Sequence, residues 1–206
     1  MYRGSNNSGL DPSLMPERRD RRGVVLLWIA LLAAGLSQSA QAQSAPEEYQ
    51  VKAAFLFHFA QFVDWPAGVL NSGDTSLKLC IFDDEPRRQK LQSTIDGKVV
   101  GTRVLQVRLI SQPPEIQGCN ILFLSRDEAR RQTTILKSLR GLPILTVGET
   151  PNFLSDGGMI CFHIEEDRVR FDINLGGAES SHLKISSRLL LLATSVTQTG
   201  TPNGGR

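Results

Sequence analysis

The sequence predicts a single α/β domain with a mostly parallel central sheet, flanked by helices and completed by an antiparallel C-terminal hairpin. Up to residue 147, short apolar runs alternate with amphipathic segments, which is typical of strands that helices cover on both faces. Beyond residue 159, apolar and polar residues alternate strictly on either side of one polar dipeptide, which indicates a hairpin with one buried face. We therefore place the α/β domain at residues 43–196.

The domain begins with a predicted helix. From Glu47 to Val63, apolar residues recur three and four positions apart, and Pro66 follows as a stop signal. Phenylalanines cover more than one side of this helix. Burial in a broad core groove is the default interpretation, and the alternative is that Phe57 and Phe59 form an aromatic interface with a second copy or a partner.

The elements that follow are assigned from their hydropathy patterns. Strands are predicted at residues 77–82, 104–110, 121–124 and 143–147, and helices at 86–95 and 127–139. Ser125 is a plausible side-chain cap for the second of these helices. A last, packed helix is predicted over residues 186–196 because Leu189 to Leu192 are apolar. Residues 197–206 are rich in Thr, Gly and Asn, and we predict that they form a disordered tail.

The hairpin carries a polar face that is a candidate binding surface. Its two predicted strands lie on either side of Glu166 and Asp167, and pairing of these strands would bring four polar side chains to one face of the hairpin. This face is a possible ligand or partner surface, and it consists of His163, Arg170, Asp172 and Asn174. The alternative interpretation is an ordinary solvated sheet face with charge pairs across the strands.

Residues 1–42 read as a cleavable secretion signal. A basic cluster at residues 18–22 precedes the apolar run 24–36, and the segment ends in Ala40-Gln41-Ala42, with cleavage expected after Ala42. The apolar run is shorter than the roughly 20 residues that a spanning helix needs, which disfavours a retained anchor. Met15 would begin a tidier signal, so the start codon is Met1 or Met15. The domain is therefore expected to work outside the cytosol.

The charge balance and the motifs disfavour several functions. Residues 1–42 hold five of the 23 basic and three of the 21 acidic residues, so residues 43–206 hold 18 of each sign. A neutral domain argues against a nucleic-acid partner. The sequence also lacks metal-ligand spacings, a nucleophile elbow and a phosphate-binding glycine loop. We expect no cofactor, no metal and no enzymatic activity.

The domain contains the cysteines Cys80, Cys119 and Cys161. Outside the cytosol two of them are expected to pair and leave one odd thiol, and the sequence alone allows three pairings. Cys161 lies in a predicted strand without an evident base beside it, which argues against a catalytic nucleophile.

Seven motifs in order resemble the YfiR family, which contains periplasmic negative regulators of membrane-bound diguanylate cyclases. The motifs are VKAAFLFHF at 51–59, FVDWP at 62–66, CNILFLS at 119–125, LTVG at 145–148, GGMI at 157–160, VRFDINL at 169–175 and LKISSRLL at 183–190. Their order and spacing hold from about Glu48 to Ala193.

The resemblance implies a periplasmic α/β protein, often a homodimer, that binds the sensor region of an inner-membrane diguanylate cyclase and represses it. Cyclic-di-GMP and biofilm formation would then fall, and an outer-membrane lipoprotein can sequester the repressor. The resemblance also places a disulfide between Cys80 and Cys119. Residues 152–156 contain no cysteine for the second bridge of some relatives, which leaves Cys161 free. A periplasmic small-ligand sensor with another membrane partner, using the hairpin face, is the alternative.

Overall fold

A mixed sheet of eight strands forms the centre of the domain in the computed structural model, which describes residues 45–70, 73–82 and 87–198. In chain order, the strands of the domain are β1 Val63–Asp64, β2 Ser76–Phe82, β3 Val99–Val100, β4 Arg103–Ile110, β5 Ile121–Leu124, β6 Leu145–Gly148, β7 Ile160–Glu165, β8 Arg168–Asn174, β9 Lys184–Ile185 and β10 Ser195–Thr197. Of these, β1 and β9 form a separate two-stranded sheet. The helices are α1 Ala45–Phe62, α2 Arg87–Ile95, α3 Ala129–Ser138, α4 Leu175–Ser180 and α5 Ser187–Leu190.

The order of strands across the sheet is β10-β8-β7-β6-β5-β2-β4-β3. The five central strands β4, β2, β5, β6 and β7 run parallel to one another. At the two ends of this group, β3 pairs antiparallel with β4, and β8 pairs antiparallel with β7. All residues of β5 and β6 are buried, as expected for parallel strands that are covered on both faces. The predicted α/β class, the mostly parallel sheet and the C-terminal hairpin are confirmed.

Helix α1 forms where the sequence pattern predicts it. Glu47 and Glu48 stand in its first turn, where carboxylates favour the positive end of the helix dipole. The helix ends at Phe62, where the chain enters β1, and β1 pairs antiparallel with β9. No described helix combines the length and the apolar character that crossing a membrane requires.

Side chains on the two faces of the sheet pack into separate apolar clusters. Leu79 and Ile81 of β2 point toward α1 and α2, whereas Cys80 and Phe82 point toward α3. This division follows from the two-residue period of a strand, which sends successive side chains to opposite faces. The domain therefore has two separate apolar cores, one on the face of the sheet toward α1 (the α1 face) and one on the face toward α3 (the α3 face).

The last predicted helix is wrong over most of its length. Helix α5 covers only Ser187–Leu190, and the chain then returns to the sheet as β10, which pairs parallel with β8. Leu191 and Leu192, which we expected to be packed, are 85% and 60% exposed. The run from Thr194 to Thr197 contains β-branched residues that favour strands, and β8 offers it a backbone partner.

Ser125 does not act as the predicted side-chain cap. It occupies the N-cap position of a short 3₁₀ helix, Arg126–Glu128, that precedes α3, but its hydroxyl makes no capping hydrogen bond. The Arg126 N–H instead donates to the carboxylate of Glu149, 2.9 Å away. A distant carboxylate thus satisfies the first free N–H of this turn, and the Glu128 N–H donates to the Ser125 backbone carbonyl at 3.1 Å.

The predicted signal peptide, residues 1–42, lies outside the described residues. The predicted tail is also outside them beyond residue 198, although its first residue, Thr197, belongs to β10.

Candidate functional site

The hairpin brings three of the four predicted surface residues together. Glu166 and Asp167 adopt positive φ angles of 48° and 57°, which form the tight two-residue turn that suits the twist of paired strands. The resulting register places His163 opposite Arg170. His163 Nδ1 lies 3.2 Å from Asp172 Oδ2, and both side chains are partly exposed.

Asn174 is not part of an exposed hairpin face. It is 1% exposed, its Nδ2 donates to the Gly158 carbonyl at 3.2 Å, and its Oδ1 accepts from the Gly177 N–H at 3.0 Å. Asn174 therefore caps α4 and ties it to the segment before β7. The predicted face is reduced to His163, Arg170 and Asp172, with Asp172 also accepting from Ser195 of β10 at 2.8 Å.

The predicted aromatic interface on α1 is corrected for Phe59. Phe59 is fully buried, and its ring centroid lies 5.6 Å from that of Phe162 and 5.1 Å from that of Phe171. Phe57 is half-buried, with the Lys98 ammonium 5.2 Å from its ring centroid. Phe59 is unavailable for a surface contact because it belongs to the aromatic centre of the α1 face.

Cys80 and Cys119 form the disulfide that the resemblance implied. Their Cα atoms are 5.9 Å apart. The bond joins β2 to the loop just before β5, and both cysteines belong to the apolar cluster of the α3 face. Cys161 is free and buried. Burial raises the pKa of the Cys161 thiol to about 12, and the carboxylates of Asp172 and Glu149 act in the same direction. A protonated, buried thiol is a poor nucleophile.

A buried charge cluster that the sequence analysis missed joins α1 to the carboxyl end of β6. Lys52 is 2% exposed and forms an ion pair with Glu149, which directly follows β6 and has an equally buried side chain. The Tyr49 hydroxyl donates to Glu149 Oε1 at 3.1 Å, and the Lys52 ammonium lies 4.6 Å from the Tyr49 ring centroid. Glu48, which is 23% exposed, lies 2.5 Å from the same ammonium.

Each oxygen of Glu149 has a partner, so this carboxylate is fully engaged in holding two elements together. One oxygen accepts from Tyr49 and Arg126, and the other faces Lys52. A lysine in the apolar helix sequence VKAAF and a glutamate just after a buried strand were the available signals. Neither signal identifies its partner, because 97 residues separate them.

Two glycines make room for one aromatic ring beside the start of β7. A Cβ atom on Gly148 or on Gly158 would lie 2.2 Å from the ring of Phe153, which is fully buried between them. Gly157 has a positive φ of 105°, so turn geometry explains it. Gly158 is required by the close packing of Phe153 and not by the turn.

A cleft of about 730 Å³ runs beside β1 and the turn between β3 and β4. Trp65 lies in its wall and donates from Nε1 to the Asn120 carbonyl at 3.3 Å. The FVDWP segment thus joins α1, through β1 and Trp65, to β9 and to the start of β5. Among the described residues, no group of three or more His, Cys, Asp or Glu side chains is placed to hold a metal ion.

These contacts define a small α/β domain whose buried polar groups are committed to joining its elements. A comparison with protein-family models matches the DUF4154 family, described as YfiR/HmsC-like, over residues 49–194. The chain belongs to this family. The family is regulatory and non-catalytic, and membership suggests a periplasmic regulator in cyclic-di-GMP signalling.

Two solved structures are similar to this chain at low sequence identity. One is a conserved domain protein from Vibrio cholerae O1 biovar El Tor, with 9% identity and a TM-score of 0.45. The other is the ABC domain in complex with L-Trp from Streptococcus pneumonia, with 10% identity and a TM-score of 0.48. Each match covers 72% of this chain and 60% of the other, so the chain spans less than two thirds of their length.

Proposed function

We propose that this protein is a periplasmic repressor that binds the sensor region of an inner-membrane diguanylate cyclase and lowers cyclic-di-GMP. The observation that carries this proposal is the family match over residues 49–194, which includes nearly the whole described domain. An outer-membrane lipoprotein that sequesters the repressor and a homodimeric state belong to the same proposal.

The surface of the domain supports action by protein contact. Leu191, Leu192 and Val196 are 85%, 60% and 42% exposed around the entry to β10, which is the last strand of the described sheet on that side. Large exposed apolar side chains and an open strand edge are typical of contact surfaces. The small-ligand alternative has lost one of its residues, because Asn174 is buried and engaged.

Deletion of the gene tests the repressor function directly. In cells that retain the cognate cyclase, we expect cyclic-di-GMP, measured by mass spectrometry, and biofilm mass to rise. In cells that lack the cyclase, the same deletion should have no effect, because the repressor then has no target. Unchanged cyclic-di-GMP in the cyclase-positive strain would show that the proposal is wrong.

Complementation tests the compartment in which the repressor works. The full chain should restore low cyclic-di-GMP, whereas a chain that starts after Ala42 behind a new methionine should not, because it stays in the cytosol. Restoration by the shortened chain to the wild-type level would contradict a periplasmic site of action. Immunoblots of cell fractions must show that both chains accumulate.

A further inference from the structure

Helix α3 and its flanking turns carry an exposed row of basic side chains. The row, which we call the α3 basic stripe, consists of Arg126, Arg130, Lys137 and Arg140, all exposed. Arg130 and Lys137 are seven residues apart and lie on one side of α3, while Arg126 belongs to the 3₁₀ turn before the helix and Arg140 follows its C-cap residue. At 1.5 Å per helical residue, the stripe is about 20 Å long.

The stripe is not neutralised within the part of the chain that the structure describes. None of its four cations forms an ion pair there. The neighbouring Arg131 differs, because its guanidinium makes two hydrogen bonds to Glu128, at 2.8 and 2.9 Å, and lies 4.9 Å from the Phe82 ring centroid. The α3 segment thus has one cation committed to the fold and four directed to solvent.

The acidic groups around the stripe are fewer than its cations. Glu128 is buried and paired with Arg131, and Asp156 accepts from Gln132 and Thr133 at 2.8 and 2.9 Å. Asp127 is the one exposed carboxylate within residues 126–140. Residues 43–206 carry equal numbers of basic and acidic residues. The excess of positive charge at the stripe is therefore balanced by negative charge elsewhere, and the charge of the domain is unevenly distributed.

The chemistry of the stripe favours an acidic protein surface over a membrane. A neutral domain has little long-range attraction to a uniformly anionic surface, whereas a row of cations can pair with a matching row of carboxylates. Three of its four members are arginines, which bind carboxylates with two parallel hydrogen bonds. Leu142 is the one large exposed apolar residue close to it in sequence, so apolar anchors for insertion into lipid are scarce.

We propose that the α3 basic stripe is a docking surface for a protein that presents a row of carboxylates about 20 Å long. We infer that the sensor region of the cyclase carries this row of carboxylates, and this assignment rests on the proposed function. The rest of α3 is suited to hold the stripe rigidly, because Ile135 and Leu136 are buried against the sheet face that also contains the disulfide.

Binding of the processed protein to the purified sensor region tests the stripe by charge reversal. The test variant is Arg130→Glu with Lys137→Glu. The control is Lys184→Glu, an exposed basic residue of β9 that lies outside both the stripe and the apolar patch of Leu191, Leu192 and Val196. At 150 mM salt we expect the dissociation constant of the double variant to rise at least tenfold and that of the control to stay within twofold. The wild-type affinity should fall as salt rises from 50 to 500 mM.

The outcomes separate this inference from the proposed function. If the sensor region binds wild type and double variant equally, the stripe is not the docking surface, although the repressor function stands. If it does not bind wild type, the proposed function fails, and a helical peptide with four glutamates at the stripe's spacing becomes the probe. If the wild type binds the peptide and the double variant does not, the result supports an acidic partner. If the wild type binds only phosphatidylglycerol vesicles, or neither the peptide nor the vesicles, the inference of an acidic protein partner is overturned.

Folding of the variants is checked by thermal unfolding, which should match that of the wild type. If the double variant does not fold, Arg130→Gln with Lys137→Gln replaces it, with an expected loss of affinity of at least threefold. Equal affinity of this neutral variant and the wild type would contradict the inference.

Discussion

Replacement of Glu149 by glutamine tests whether the buried charge cluster holds α1 against the sheet. Glutamine has nearly the same shape and keeps one oxygen that can accept from Tyr49 or Arg126. It removes the negative charge that faces Lys52, whose side chain is 2% exposed. The substitution therefore isolates the ion pair from the packing of the cluster.

The expected cost is about 3 kcal/mol in the free energy of unfolding. Removing one partner of a buried ion pair costs about 3–5 kcal/mol, because the remaining charge stays buried without its counter-ion. Lys52 keeps Glu48 at 2.5 Å, which places the cost at the lower end of that range. For a domain of this size, about 3 kcal/mol corresponds to a fall of roughly 6–12 °C in Tm.

Urea unfolding followed by tryptophan fluorescence measures this cost. Trp65 is the single tryptophan after residue 42, and it contacts the Asn120 carbonyl in the folded state. The matched control is Glu48→Gln, which removes the more exposed carboxylate beside the same lysine. We expect this control to cost less than about 1 kcal/mol, as is typical of solvent-screened pairs.

A double-mutant cycle with Lys52→Met completes the experiment. Because the double variant leaves no unpaired charge that is fully buried, with only the partly exposed Glu48 losing its partner, it should be at least about 1 kcal/mol more stable than the sum of the single effects implies. A cost below about 1 kcal/mol for Glu149→Gln, or additive effects in the cycle, would refute the assigned role of the ion pair.

Three further predictions concern the cysteines and the packed glycine. Replacing Cys80 and Cys119 by alanine should cost about 4 kcal/mol in chemical unfolding, since their bond spans 39 residues; a cost near zero would contradict a stabilising bridge. The pKa of Cys161 rises from 9.0 to about 12 on folding, so the folded state retains its proton where the unfolded thiol loses it. Stability should therefore fall between pH 9 and 12, and Cys161→Ala should flatten that dependence. Gly158→Ala should destabilise by about 1–3 kcal/mol through the clash with Phe153, and Phe153→Leu should partly rescue it. Additive losses would contradict the clash.

Local patterns were sufficient for the parts of the fold that local rules govern. The hairpin was predictable because alternation and a two-residue turn together determine which residues face the core. The segment after Ser186 was not, since its apolar residues fit a helix and an edge strand equally well. The backbone of β8, which is distant in sequence, decides between them through bonds such as Thr194 N–H to the Phe171 carbonyl at 2.9 Å.

The candidate site was less predictable than the fold because its contacts join distant segments. Strand pairing correctly placed His163 beside Asp172, whereas the burial of Asn174 depends on the position of α4. The cluster of Lys52 and Glu149 has no local signature, and a lone buried lysine does not reveal its counter-ion. The pairing of Cys80 with Cys119 came from the family resemblance, since the three cysteines permitted other combinations.

The packing of α1 sets an order on the assembly of the domain. Phe55 and Phe59 lie against Phe162 and Phe171, and Tyr49 bonds to a residue 100 positions further along the chain. Because the chain is synthesised from its N-terminus, the aromatic side of α1 is made long before β7 and β8, the strands that cover it. Assembly of the α1 face must wait for the C-terminal third of the chain, and until then the aromatic side of this helix is an uncovered surface at which chains can aggregate.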